Sequence, residues 1–381
     1  MSAPLKLYFV AGERSGDTHA ADLIAALKSR HSALEIRGLG GPKMIAEAGD
    51  GIVDWVEEAG VVGLWEVLKN YGYFRRQMDV VVEEVTAWKP DVIVPVDYPG
   101  FNLRLAKRLR KDAVASRIVY YISPQVWAWN RGRIPKMAQC LDRMLCIFPF
   151  EKELYQESGL NTDFVGHPLV DKLEEIAATP VVREQKLIGL FPGSRLREVN
   201  ALFADMVAGV KRLRGVDDWR VVAVAASEKV AEAMKAPLRE HGMERRIEVV
   251  IGDSNLWMQR STFGAVASGT ATLEAAVFGM PYCLVYRVAA FTFLAANLLM
   301  KVPYLGIVNI LADRQIVPEF LQGGLSPEVL SKWMQEMIDD PAARENLARD
   351  LASTMEKLGT GGAAERAAEA VLDEARISRE G

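Results

Sequence analysis

Ten residues, Ala267-Ser268-Gly269-Thr270-Ala271-Thr272-Leu273-Glu274-Ala275-Ala276, restrict this chain to a narrow set of folds. Val266 and Ala267 close a short apolar run, Ser268 and Thr270 are good helix N-caps, and Thr272 to Phe278 has helical composition, stopping at Gly279-Met280-Pro281. A strand end that turns this tightly into a helix presents unpaired backbone N–H groups and a partial positive charge. A phosphate fits there. Glu274 stands about one turn further in, where a carboxylate can accept hydrogen bonds from two neighbouring sugar hydroxyls. A capping box would need Ser or Thr three residues before the acid, and Ala271 holds that position. An acid favoured simply by the helix dipole is the alternative reading.

The same unit recurs along the chain. Leu5 to Val10 is a buried strand, followed by the turn Ala11-Gly12-Glu13-Arg14-Ser15-Gly16-Asp17 and a helix from Thr18 to Arg30. Its glycines are four apart and no Gly-Lys-Ser/Thr follows, so it is neither a dinucleotide fingerprint nor a Walker loop. Asp91 to Asp97 is a strand with an acid at its carboxyl end, where open α/β sheets place their ligands. Asp97 is therefore a candidate general base, or else a cap for the next turn. Arg117 to Ile122 runs into Ser123-Pro124-Gln125-Val126-Trp127-Ala128-Trp129-Asn130, then Arg131, Arg133 and Lys136, a pattern suited to sugar faces and an anionic group. A further unit follows over Met144 to Ser158, and Phe164 to Pro168 reads as the last strand of this half.

The composition turns polar over Asp171 to Glu184, which places a linker there. Leu187 to Phe191 then opens a second series, with Pro192-Gly193-Ser194-Arg195 after the strand. Gly193 lets the backbone approach a ligand, Ser194 offers a hydroxyl and an N–H, and Arg195 can neutralise a phosphate with a planar fork of donors. A structural loop with a surface arginine is the plainer reading. Gly361-Gly362 precedes a last helix, Ala363 to Ile377, able to swing over another domain or subunit.

At 381 residues the chain is too long for one typical core and fits about two domains. A net charge of −4 argues against a nucleic-acid protein. Cys140, Cys146 and Cys283 lack metal-site spacing and read as buried thiols of a reducing compartment. His19, His31, His167 and His241 are scattered, which speaks against a zinc site. Val288 to Met300 falls short of a membrane span, so a cytoplasmic protein is expected, with any membrane contact peripheral. Two stretches suit such contact: Ala289 to Met300, and Ala59 to Arg76 with Val61, Leu64, Trp65, Leu68 and Phe74 ahead of Arg75 and Arg76. A helix packed on the sheet is the alternative for the latter.

The whole chain resembles the lipid-A-disaccharide synthases, inverting glycosyltransferases built from two Rossmann-like doubly wound domains facing a cleft (GT-B). The likeness runs through Ala11-Gly12-Glu13, Ser15-Gly16-Asp17, Gly38 to Met44, Glu66-Val67-Leu68, Phe101-Asn102, Ser123 to Trp129, Pro149-Phe150-Glu151 and Val165 to Leu169. It continues through Pro192 to Arg195, Ser268 to Glu274, Tyr286-Arg287, Asn309 to Arg314 and Glu319 to Gln322. Gly100 departs from the family's Pro-Asp-Phe-Asn, leaving Asp97 as the one acid of that pair.

The resemblance implies an N-terminal acceptor- and membrane-facing domain over residues 1–172, a UDP-sugar domain over 173–358, and a C-terminal helix over 359–381 packing across domains or subunits, compatible with a homodimer. It implies transfer of 2,3-diacylglucosamine from its UDP conjugate to the 6-hydroxyl of 2,3-diacylglucosamine 1-phosphate (lipid X), without metal or cofactor, at the cytoplasmic face of the inner membrane. Catalysis would fall to Asp97 and Arg195. Substrate contacts would fall to Gly12, Ser15, Gly16, Asp17, Ser123, Gln125, Trp127, Gly193, Ser194, Ser268, Gly269, Thr270, Glu274, Arg287 and Asn309. A UDP-sugar 2-epimerase of the same architecture and a non-catalytic glycolipid carrier are the competing expectations.

Overall fold

The computed structural model describes residues 3–59, 71–179, 181–288 and 302–380. The chain forms two compact units, Met1–Pro168 with Thr360–Gly381, and Leu169–Gly359. Unit 1 runs β1 (Leu5–Ala11), α1 (Arg14–Arg30), β2 (Leu34–Gly40), α2 (Pro42–Ala48), β3 (Ile52–Asp54), α3 (Val56–Ala59), α4 (Tyr71–Trp88), β4 (Val92–Val96) and α5 (Pro99–Lys111). It continues with β5 (Arg117–Tyr121), α6 (Val126–Trp129), α7 (Ile134–Ala138), β6 (Arg143–Cys146), α8 (Pro149–Gln156) and β7 (Thr162–Phe164). The described strands form one sheet in the order β3-β2-β1-β4-β5-β6-β7, and neighbours pair in parallel.

Continuous apolar strands of this kind must be covered on both faces. In β1, Leu5, Leu7, Phe9 and Ala11 enter one core while Tyr8 and Val10 enter the other, as the two-residue period of a strand requires. Pro95 lies within the central strand β4. The ladder to β1 continues through it, but that to β5 passes from Ile93–Ile118 to Val96–Tyr121, because proline has no N–H to give. This gap stands just ahead of Asp97.

Unit 2 runs on from α9 (Pro168–Ala177) through β8 (Leu187–Phe191), α10 (Leu196–Lys211), β9 (Arg220–Ala225), α11 (Glu228–His241), β10 (Glu248–Ile251), α12 (Ser254–Arg260), β11 (Phe263–Ala267), α13 (Thr270–Val277) and β12 (Tyr282–Tyr286). After it come α14 (Ile307–Ala312), β13 (Glu319–Leu321), α15 (Pro327–Asp339) and α16 (Pro341–Met355). The sheet order is β10-β9-β8-β11-β12-β13, again parallel. Each sheet reverses its strand order once, between β1 and β4 in unit 1 and between β8 and β11 in unit 2. Ligands of open α/β sheets bind outside the strand ends at such points.

Two elements differ from expectation. The polar stretch taken as a linker begins as helix α9, whose Leu169, Val170 and Leu173 are buried while its charges face outward. The strand placed over Phe164 to Pro168 lies earlier, as β7, because Gly166 takes φ 89° and turns the chain. The C-terminal helix, α17 (Ala363–Glu380), belongs to unit 1. Its Ala367, Ala368, Ala370, Val371 and Ala375 join the same core as Leu5, Leu7 and Phe9. Glu374, 1% exposed, pairs with Arg117 at 2.6 Å, and Arg379 pairs with Asp91 at 2.9 Å and donates to the carbonyls of Ala3 and Pro4. Among the described residues no helix is long and apolar enough to cross a membrane.

Candidate active site: two sheet switch points

At the β1/β4 reversal of unit 1, Gly12 directly follows β1 and Asp97 directly follows β4. A Cβ on Gly12 would lie 2.3 Å from the ring of Tyr98, so the glycine makes room for that ring. The Tyr98 hydroxyl donates to the Ala59 carbonyl at 2.9 Å, and Trp55 Nε1 donates to the Ala11 carbonyl at 2.6 Å. Gly16 brings α1 against the ends of β1 and β4, and Ser15 is exposed. Asp17 is buried, accepting from the backbone N–H groups of Gly41, Met44 and Lys43 at 2.9, 3.0 and 3.1 Å. Its carboxylate caps α2, and these bonds occupy both of its oxygens.

Asp97 and Tyr98 both adopt left-handed backbone, φ 47° and 51°, which costs a non-glycine residue roughly 1–2 kcal/mol each. The half-buried Asp97 carboxyl is pushed up to about 6, first by burial, then by the negative charge of Glu13, against the opposing effect of a hydrogen bond from the Tyr98 N–H. An acid poised near neutrality suits proton abstraction from a hydroxyl. Glu13 is therefore an electrostatic neighbour of Asp97 that its sequence context, one residue beyond Gly12 at a strand end, makes legible. The family acid missing at Gly100 would have stood in open space, since nothing lies within 4 Å of a Cβ there.

Beyond β5, Ser123 is buried and Gln125 exposed. Of the two tryptophans, Trp129 is the open one, 40% exposed, with the Arg133 guanidinium 4.9 Å above its ring. Trp127 is buried, packs edge-on against Phe150 at 4.8 Å, and donates Nε1–H to Glu151 at 2.8 Å. Glu151 also accepts from the Phe148 N–H at 3.1 Å, and burial pushes its carboxyl up to about 7. This acid holds the Ser123 to Asn130 segment onto α8. Trp127 is thus a wall of that segment, and Trp129 is the tryptophan whose ring stands open to solvent.

At the β8/β11 reversal of unit 2 two loops meet the strand ends. Gly193 takes φ 108°, and a Cβ there would come within 2.4 Å of the Glu198 carboxylate. Glu198 accepts from the N–H groups of Ser194 and Arg195 at 3.1 and 3.3 Å and from Arg195 Nη1 at 3.2 Å. The start of α10 is therefore already occupied by its own acid, and the Arg195 side chain, 75% exposed, carries the loop's accessible positive charge. The start of α13 differs. Gly269 takes φ 149°, Gly269 and Thr270 are exposed, and no side chain caps the first turn. An anion fits at this helix start, supported by the dipole of α13. Glu274 on the same helix is mostly buried, and desolvation raises its carboxyl pKa against the pull of Lys172.

Arg287 and Asn309 serve the framework. Arg287 pairs with Asp205 and donates to the carbonyls of Ala201 at 3.1 Å and Leu325 at 2.8 Å. Asn309, 1% exposed, donates to the Val317 carbonyl and Glu319 at 2.8 and 2.7 Å and accepts from the N–H groups of Ile316 and Val317 at 2.9 Å each. Asn309→Ala strands two buried N–H groups at about 1–3 kcal/mol each. Thermal melting should show unit 2 destabilised by several degrees; an unchanged melt would return Asn309 to a purely ligand-facing role. Of the apolar positions expected at a membrane, Phe74 packs edge-on to Trp55 at 6.5 Å, while Val61, Leu64, Trp65, Leu68 and Ala289 to Met300 lie outside the described residues.

A putative UDP-N-acetylglucosamine 2-epimerase of Listeria monocytogenes shares the fold, with TM-score 0.61 at 16% identity over 96% of this chain and 95% of that one. Two parallel sheets, each reversing its strand order once, define the fold class, GT-B-like with two Rossmann-type domains. The family model for lipid-A-disaccharide synthetase matches residues 7–373. The lipid-A-disaccharide synthase of Myxococcus xanthus is 37% identical over 386 residues, covering 98% of each chain, and that of Geobacter metallireducens is 36% identical over 382 residues with the same coverage. The chain belongs to the lipid-A-disaccharide synthetase family, and is a glycosyltransferase.

Proposed function

We propose that the enzyme transfers 2,3-diacylglucosamine from UDP-2,3-diacylglucosamine to the 6-hydroxyl of 2,3-diacylglucosamine 1-phosphate, inverting the anomeric centre to give the β-1,6 disaccharide 1-phosphate and UDP. The observation that carries this reading is the family match over residues 7–373, and Asp97, a half-buried acid just past the end of β4 at the switch point of unit 1, supplies a base for it. Its carboxylate takes the proton of the acceptor hydroxyl as that oxygen bonds to the anomeric carbon. The bond from the anomeric carbon to the β-phosphate oxygen breaks, and its electron pair leaves with UDP. Arg195 and the uncapped start of α13 meet the charge that develops on the leaving diphosphate. Metal-free catalysis follows from that assignment, with the enzyme acting peripherally on the cytoplasmic face of the inner membrane.

UDP release from the donor, measured with and without acceptor and with EDTA throughout, tests the reading. Acceptor-dependent release that survives EDTA is expected; release without acceptor would favour an epimerase, and none at all a carrier. Glu274 holds the ribose hydroxyls in this scheme. Glu274→Gln should raise the donor KM about tenfold while kcat changes far less, since a hydrogen bond to a charged group contributes about 1.5–3 kcal/mol. An unchanged KM would remove that role.

A further inference from the structure

The backbone carbonyl of Asp97 accepts two side-chain hydrogen bonds, from Tyr120 Oη at 2.6 Å and from Asn102 Nδ2 at 2.7 Å. Both donors are completely buried. The Asn102 amide nitrogen also faces the carbonyls of Val10 at 3.2 Å and Val96 at 3.3 Å, and its Oδ1 has no partner. Turned over, the amide would press its oxygen against three carbonyls, so its orientation is fixed. Asp97 N–H donates to the Tyr121 carbonyl at 2.9 Å, and the Tyr98 carbonyl accepts from Phe101 and Asn102 N–H at 3.2 and 3.1 Å. Pro95 leaves one gap in the β4–β5 ladder just upstream, and the pairing resumes at Val96–Tyr121.

A left-handed pair of non-glycine residues persists only where its surroundings over-determine it. Capping of α5 uses the Tyr98 carbonyl and needs nothing from the carbonyl of Asp97. We infer that Tyr120 and Asn102 are positioning residues of the transfer reaction, gripping the Asp97 carbonyl so that the carboxyl is kept in its half-buried, base-competent place. The inference rests on Asp97 being the base. It differs from a role in folding by predicting an effect that vanishes when the carboxylate is removed.

The test is a double-mutant cycle on acceptor-dependent UDP release, with Tyr120→Phe made in the wild-type and Asp97→Asn backgrounds. In the wild-type background kcat should fall about tenfold or more with the donor KM within twofold, the equivalent of one well-made hydrogen bond. In the Asp97→Asn background the residual rate should change by less than about twofold. Equal losses in both backgrounds, or none in the first, would overturn the inference. An NMR titration of the side-chain carboxyl carbon of Asp97 provides a readout independent of turnover. Its midpoint, set by burial, Glu13 and the Tyr98 N–H with Tyr120 close by, should move down in Tyr120→Phe as the carboxyl gains solvent, and an unmoved midpoint would count against positioning. A wild type that titrates as expected yet releases no UDP would sink the transferase reading alone. Should Tyr120→Phe fail to fold, Asn102→Ser enters the same cycle.

Discussion

Asp97→Asn should be at least about a hundredfold slower than wild type in acceptor-dependent UDP release and at the same time melt higher at pH 7.5. The two effects share a cause. The folded carboxyl titrates at about 6 against 3.8 for the free side chain, so the folded state binds the proton more tightly than the unfolded chain does. The stabilising contribution of the protonated form is present below about pH 4 and is lost as pH rises to about 6. Above that, the ionised group costs on the order of 2–3 kcal/mol. Asparagine carries no charge and tolerates left-handed backbone, so the variant escapes the penalty without disturbing the turn. Its gain in melting temperature should shrink below pH 5. In the wild type kcat/KM should rise with pH through about 6, and the variant should lose that limb. A variant of full activity would leave the reaction without its base; one that melts lower at pH 7.5 would contradict the buried charge.

Arg195→Ala should lower kcat by about 10²- to 10³-fold, the loss of a fixed donor to a developing anion, with little change in the donor KM. Its melting temperature should stay where it was. The guanidinium is 75% exposed, and its pairing with Glu198 is a surface ion pair, worth at most about 1 kcal/mol. If KM rose and kcat held, Arg195 would bind donor and transition state equally, and the charge on UDP would have to be met by the start of α13 alone.

The doubly wound halves were legible because parallel strands buried on both faces read as unbroken apolar runs, each closed by a glycine or proline turn. Asp97, Pro192 to Arg195 and Ser268 to Thr270 could be picked out because they stand at strand ends, and the sheet orders place them at the two reversals. Asp17, Trp127, Arg287 and Asn309 show where motif reading stops. Each was expected at substrate, yet each has its polar atoms bonded to the frame that shapes a loop. A short motif contains both the residues that touch a ligand and those that hold the touching residues, and spacing alone does not separate them. Glu151 acts through Trp127, 24 positions away, so its role needed the fold. Glu198 did carry a local signal, an acid three residues after Arg195 at the opening of a helix.

The helix Ala363–Glu380 completes the core beneath β1, although the whole of unit 2 separates it from the rest of unit 1. During synthesis this sets an order. A nascent chain that has cleared the ribosome through Gly359 holds every described strand of both sheets, yet Leu5, Leu7 and Phe9 still lack the alanine and valine face that covers them. Unit 2 can reach its final packing at that moment, while unit 1 must wait for Ala363–Glu380. A messenger truncated there would yield a protein with unit 2 intact and unit 1 exposed to proteolysis.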